Sequence, residues 1–393
     1  MLETYLKSYK QALHESVVPF WLKHSLDPDY GGSFSCLDRD GTVYDTKKYV
    51  WLQGRSVWMF SRLYNECGRQ PAHLDAATLG VTFLEKHALD EQGRYYFSLT
   101  REGAPCFFQR KPYSAVFAML AYLEYAKASG QEEYKQKAID LFWKITQWIE
   151  NPELLGRPTL AGAPQTSGLA NVMVLAGMAL ELAKVDQDER YVDFMKKAIA
   201  GCRLHYDPQR RILMEDVALD GSSLPDSPES RFFIPGHSIE VAWFLLHLLD
   251  HVDDEDARVM AYDIIEGSLA YGWDKEYGGL YYFMDVENRP TLQLESDMKL
   301  WWPHTEALYA LVLAYTKTKE PRWLDWLDRV HDYTFTHFVD SEHGGWFGYC
   351  DRRGHLTHTA KGGNYKGFFH VPRALLFCIQ AIESHQQSPT KDA

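Results

Sequence analysis

Three histidines, each close to a charged residue, stand where long apolar runs begin. His237 lies in Pro235-Gly236-His237-Ser238-Ile239-Glu240 ahead of Val241 to Leu249, and His304 in Trp302-Pro303-His304-Thr305-Glu306 ahead of Ala307 to Tyr315. His370 lies in Phe369-His370-Val371-Pro372-Arg373 ahead of Ala374 to Ile379. The histidines are 67 and then 66 residues apart, an interval that implies repeated units delivering helix starts to one place. An imidazole titrates near neutrality and both takes and returns a proton, so histidines held beside charges suit general acid and base work. His237 and Glu240 are three residues apart and share a helix face, as do His370 and Arg373. His304 and Glu306 are two apart, so only one of them should point into a common mouth. Glu306 enters a very apolar helix and is costly to bury without a partner; His304 is the blander of the two. Arg55, in Trp51-Leu52-Gln53-Gly54-Arg55, opens another apolar run and must pair with a carboxylate such as Glu240 or Glu306, or bind a ligand oxygen.

The elements that position these residues repeat. Asp27-Pro28-Asp29-Tyr30-Gly31-Gly32, Asp274-Lys275-Glu276-Tyr277-Gly278-Gly279 and Asp340-Ser341-Glu342-His343-Gly344-Gly345 each precede a short alternating segment, reading as a turn and a strand. Weaker copies begin at Asp90 and Asp207. The five aspartates step by 63, 117, 67 and 66 residues, so the long gap holds a unit without the turn signature, and six units of about 65 residues span the chain. Between turns the periodicity predicts helices near 2–25, 49–66, 72–88, 112–129, 132–150, 167–185, 189–205, 237–251, 255–271, 303–318, 321–338 and 368–384. Nearly apolar helices alternate with helices carrying a charged stripe, as buried and solvent-facing helices do. The expected fold is all-α, an (α/α)6 barrel of six inner and six outer helices with short β-hairpins in the loops. It forms one domain over residues 1–385, followed by a disordered tail at 386–393. An open solenoid of helix pairs is the other arrangement, disfavoured because no polar-faced capping units are evident.

Composition narrows the function. The 393 residues carry a formal net charge of −13, which argues against nucleic-acid and anionic-membrane partners, since these require a basic surface. No run of about 18 apolar residues is present, and no apolar leader follows Met1. Six widely spaced cysteines indicate neither a disulfide scaffold nor a zinc ribbon, and a cytoplasmic setting is expected. Aromatic residues make up 14%, which fits sugar-facing pockets as well as core packing. The candidate histidines lack zinc-ligand spacing, so no metal is expected. Gly156 to Gly162 lacks the Gly-Lys-Ser/Thr of a phosphate-cradling loop.

Together, Lys299 to Ala307, Pro235 to Glu240 and Phe369 to Arg373 resemble the N-acylglucosamine 2-epimerase family, over nearly the whole chain. The resemblance implies a barrel enzyme interconverting N-acetylglucosamine and N-acetylmannosamine, a homodimeric assembly, and ATP as an activator that is not consumed. It connects the protein with sialic-acid metabolism. Cellobiose 2-epimerases and aldose-ketose isomerases share that barrel but usually carry a further histidine after an Asn, whereas Asn171-Val172-Met173-Val174-Leu175 has none. The expected roles are His237 and His370 as the acid/base pair, with Arg55, Asn171, Glu240, His304, Glu306 and Arg373 contacting the amino sugar. A cellobiose or mannose 2-epimerase or an aldose-ketose isomerase on the same fold is the first competing reading, followed by inverting hydrolysis by Glu240 and Glu306 and by a non-enzymatic helical scaffold.

Overall fold

The computed structural model describes residues 2–387 apart from 159, 221–223, 225 and 292. In chain order its helices are α1 (Leu2–Gln11), continued through a π-helical turn (Ala12–Val17) into α2 (Val18–His24), then α3 (Val50–Glu66), α4 (Pro71–His87), α5 (Tyr113–Ser129), α6 (Glu132–Glu150), α7 (Leu169–Ala183), α8 (Arg190–His205), α9 (Pro235–Leu248), α10 (Glu255–Gly272), α11 (Trp301–Thr318), α12 (Arg322–His337) and α13 (His370–Gln387). With α1 and α2 counted as one rod, twelve helical rods result. Helix α13 runs two residues past the expected boundary at 385, and residues 388–393 of the expected tail lie outside the described residues.

Helices α3, α5, α7, α9, α11 and α13 form the inner ring, each packed on the next. The ring closes where Trp58 of α3 meets Phe377 of α13, with ring centroids 6.3 Å apart. Closure excludes the open solenoid. The outer rods, beginning with α1–α2 against α13, cover the seams between inner helices. Sequence explains the division: Trp301 to Ala314 of α11 is buried without a break, whereas α12 buries only Trp323, Leu327, Val330, Tyr333 and Thr334, one stripe at helical spacing.

The turn motif does more than reverse the chain. In its three clear copies the paired glycines adopt positive φ, 80° and 74° at Gly31 and Gly32, so side chains are disfavoured there. The leading aspartate accepts backbone N–H bonds from its own turn and binds a fully buried lysine that lies just before or near an inner-helix start. The pairs are Asp27–Lys48 at 2.8 Å, Asp274–Lys299 at 3.1 Å and Asp340–Lys361 at 2.7 Å. An arginine from another unit clips each pair from outside: Arg101 on Asp27, Arg352 on Asp274 and Arg39 on Asp340. The two weaker copies also form hairpin-like turns, with Leu89 bridging Tyr95 and Tyr206–Asp207 pairing with Ile212–Leu213. These clips brace the segments that lead into α3, α11 and α13, three of the six inner helices.

Candidate active site

The mouth opens into a cavity of about 560 Å³ lined by Trp51, Arg55, Met173, His237, Glu240, Trp302 and His370, with Tyr282, Tyr349 and Tyr365 toward the rim. Its volume and aromatic character suit a small polar ligand.

His237 sits on the first turn of α9, where Pro235 is preorganised for a helix start. Its Nδ1 donates to both oxygens of Glu215, at 3.0 and 3.1 Å, which leaves Nε2 as the reactive nitrogen. Burial pulls its pKa down, but the charge and hydrogen bond of Glu215, aided by Glu240 and Glu306, outweigh this and hold it above 6.5. His370 is the first residue of α13 and is held in the same orientation by another carboxylate: Nδ1 donates to Oε1 of Glu306 at 2.7 Å, again freeing Nε2. Here burial, reinforced by Arg55 and Arg373, drives the pKa well below 6.5. The two imidazoles are therefore shifted in opposite directions, His237 toward the protonated form and His370 toward the neutral one. Trp302 lies beside both, its ring 5.1 Å from that of His237 and 5.9 Å from that of His370.

Beneath them, Nη2 of Arg373 donates to Oε1 of Glu240 at 2.6 Å and to Oε1 of Glu306 at 2.7 Å. Trp243 Nε1 donates to the other oxygen of Glu306 at 3.0 Å, so both oxygens of this carboxylate accept hydrogen bonds. Glu240, Glu306 and His370 present ligand atoms within 4.8 Å of one another, a separation a cation could bridge, but the Arg373 guanidinium already supplies positive charge there. The same arrangement disfavours hydrolysis. The two carboxylates share one guanidinium instead of flanking a substrate, and both oxygens of Glu306 already accept hydrogen bonds.

Arg55 takes neither carboxylate. It makes no ion pair within 4 Å among the described residues; its guanidinium stacks 4.3 Å from the Trp51 ring and 4.1 Å from Phe117, and Nε is buried without a hydrogen-bond partner. Burial, with Arg373 nearby, lowers its pKa to about 9, against the opposing pull of Glu240 and Glu306. Arg55 lines the cavity, where a guanidinium without a carboxylate partner suits a ligand oxygen.

The structure corrects one expected contact, that of His304. His304 is fully buried on the outer side of α11: Nε2 accepts the Leu280 N–H at 2.9 Å, Nδ1 donates to the Leu300 carbonyl at 2.6 Å, and the ring stacks on Tyr333. It anchors a turn and cannot contact a sugar. Asn171 is half-buried, and Met173 lines the cavity from that helix. Sequence reasoning missed Glu215, which lies between the strands Ile212–Leu213 and Asp216–Ala218. The only signal for it was an acid within the short segment after a turn, beside a second acid, Asp216.

A closed (α/α)6 barrel with two imidazoles shifted in opposite directions and a tyrosine-rimmed mouth defines a class of proton-transferring enzyme acting on small polar molecules. Comparison makes the assignment specific. The family model for N-acylglucosamine 2-epimerase (GlcNAc 2-epimerase) matches residues 32–374. The N-acylglucosamine 2-epimerase of Mus musculus is 39% identical over 389 residues, 97% of this chain and 92% of that protein. A cellobiose 2-epimerase of Ruminococcus albus is 25% identical, over 87% of this chain and 90% of its own. Among solved structures, a cellobiose 2-epimerase from Bacillus thermoamylovorans superposes with a TM-score of 0.82 at 22% identity, covering 97% of this chain and all of that one, a likeness of fold. The chain belongs to the N-acylglucosamine 2-epimerase family.

Proposed function

We propose that this isomerase interconverts N-acetyl-D-glucosamine and N-acetyl-D-mannosamine by proton exchange at C2. The observation that carries the reading is the pair of imidazoles, each fixed through Nδ1 by a carboxylate and shifted in opposite directions, His237 toward the protonated and His370 toward the neutral form. Ring opening exposes a C1 aldehyde, which acidifies the C2 proton. Neutral His370 removes that proton through Nε2, and protonated His237 returns one to the opposite face, inverting the centre. Charge developing on the C1 oxygen falls near Arg55 and Arg373, whose donors stabilise an enediolate. In the reverse direction the histidines exchange roles; both directions need one proton shared by the pair. Identity of 39% to the murine N-acylglucosamine 2-epimerase, against 25% to a cellobiose 2-epimerase, favours the N-acylated sugar over unsubstituted ones.

The same reading includes a homodimer, which sedimentation would show, and a place in sialic-acid metabolism. Six free cysteines agree with a reducing, cytoplasmic setting, and no helix of the described residues is long and apolar enough to cross a membrane. ATP as a non-consumed activator is carried over from the family resemblance. No residue is assigned to ATP. Incubation with N-acetylmannosamine in deuterated water, with and without ATP, tests the proposal. N-acetylglucosamine carrying C2 deuterium is expected, and its absence under both conditions would refute it.

A further inference from the structure

A second cavity borders the first on the side away from the histidines. Arg55, Met173 and Glu240 line the mouth cavity and also a second chamber of about 360 Å³, which extends to Lys184 and His251 beyond the C-terminal ends of α7 and α9. Its middle section is apolar, walled by Trp58, Phe117, Leu120, Val174, Phe244 and Phe377. Proton transfer between His237 and His370 uses none of these walls.

A C2 epimerisation substrate places three groups around the reacting carbon besides its proton. The C1 oxygen needs cationic donors, and the hydroxylated chain from C3 onward needs polar partners, which Tyr282, Tyr349, Tyr365 and Glu295 offer at the mouth. The acylamido group alone has a polar start and an apolar end. The residues shared by the two cavities match that order: Arg55, whose Nε has no hydrogen-bond partner, and Met173 stand at their common boundary, with the apolar walls beyond. A methionine is well suited to adapting to chains of differing length.

We propose that the second chamber is the acyl pocket. Arg55 donates to the amide carbonyl at its threshold, the acyl chain passes Met173, and the chamber accepts acyl groups considerably longer than acetyl. This rests on the C2-epimerase reading above, and the experiment separates the two.

The test is a series of N-acetyl-, N-propanoyl-, N-butanoyl- and N-hexanoylmannosamine, assayed with the wild-type chain, Gly177→Leu and Val174→Phe. Gly177 lines the chamber on α7, and a Cβ there meets only the Phe244 ring, at the ordinary contact distance of 3.5 Å, so leucine narrows the chamber without a backbone clash. For the wild type, KM should fall by up to about fourfold per added methylene as apolar surface is buried, with kcat little changed because the added contact is equal in ground and transition states. In either variant, kcat/KM for the N-hexanoyl sugar should fall about tenfold or more relative to that for the N-acetyl sugar. Wild-type turnover of the N-acetyl sugar without turnover of the N-hexanoyl sugar overturns the acyl pocket, as does an unchanged ratio in a folded variant. Failure to turn over even the N-acetyl sugar removes the epimerase reading, and the pocket with it.

Discussion

At the residue scale, the site is two histidines made unlike by their neighbours. His237 has one dedicated carboxylate, Glu215, whereas His370 shares Glu306 with Arg373 and lies near Arg55. Activity requires one proton on the pair. kcat/KM should therefore rise with pH as His370 loses its proton, below 6.5, stay level, and fall as His237 loses its own, above 6.5. Glu215→Gln keeps the hydrogen-bond acceptor but removes the charge that raises the pKa of His237. Its alkaline limb should move to lower pH while the acid limb stays, and a pH profile of kcat/KM reads this directly. An unmoved alkaline limb would show that Glu215 does not set the charge of His237. Glu215 was hard to read in the sequence because it comes from a loop strand, outside the repeating helix starts. His304 misled for a different reason. The true equivalents run 237, 303 and 370, and 240, 306 and 373, spaced by 66 and then 67 residues; His304 is one residue out of phase. One residue turns a helix position by about 100°, enough to carry the side chain from lumen to outer wall.

At the element scale, the Asp–Lys–Arg clips explain how loops of irregular length present helix ends at fixed positions. The turns themselves were legible, because a leading aspartate and paired glycines have strong local meaning. The lysines were not, since a lysine 21 or 25 residues downstream carries no periodic signal. Asp274→Ala would leave Lys299 buried with its charge uncompensated and should cost about 3–5 kcal/mol, measured by urea denaturation. A loss below about 1 kcal/mol, the worth of a surface ion pair, would contradict the clip. The aspartates also set the acid limit. Despite burial, which alone would raise it, the pKa of Asp27 is brought to about 2 by Arg101, Lys48 and turn N–H groups, and those of Asp274 and Asp340 are lowered further by equivalent partners. A carboxyl held below its unfolded value of about 3.9 stabilises the fold above that pH and loses this contribution as pH falls through the folded value. The urea midpoint should be steady above about pH 5 and decline between about pH 4 and 2.

For the whole molecule, closure makes the ends of the chain interdependent. The first rod packs on the last inner helix, burying Tyr9, Leu13 and Val17, and Lys10 pairs with Glu383 at 2.5 Å. Leu13→Ala should therefore cost about 2–5 kcal/mol as a core truncation and shift one cooperative transition; a separate early transition of the N-terminal rod would contradict a closed ring. The alternation of apolar and striped helices made six-fold closure legible, since burial leaves a mark on every turn of a helix. The lumen's division into two chambers was not, because it depends on which side chains meet across the ring. The central claim is that His237 and His370 face opposite sides of C2. It is tested most directly by following C2 hydrogen–deuterium exchange of each epimer, separately, in His237→Asn and His370→Asn. Each variant should lose net epimerisation by about a hundredfold or more, yet retain exchange in one epimer only, a different epimer for each variant. Net epimerisation at the wild-type rate in either variant, or retained exchange in the same epimer for both, would contradict the account.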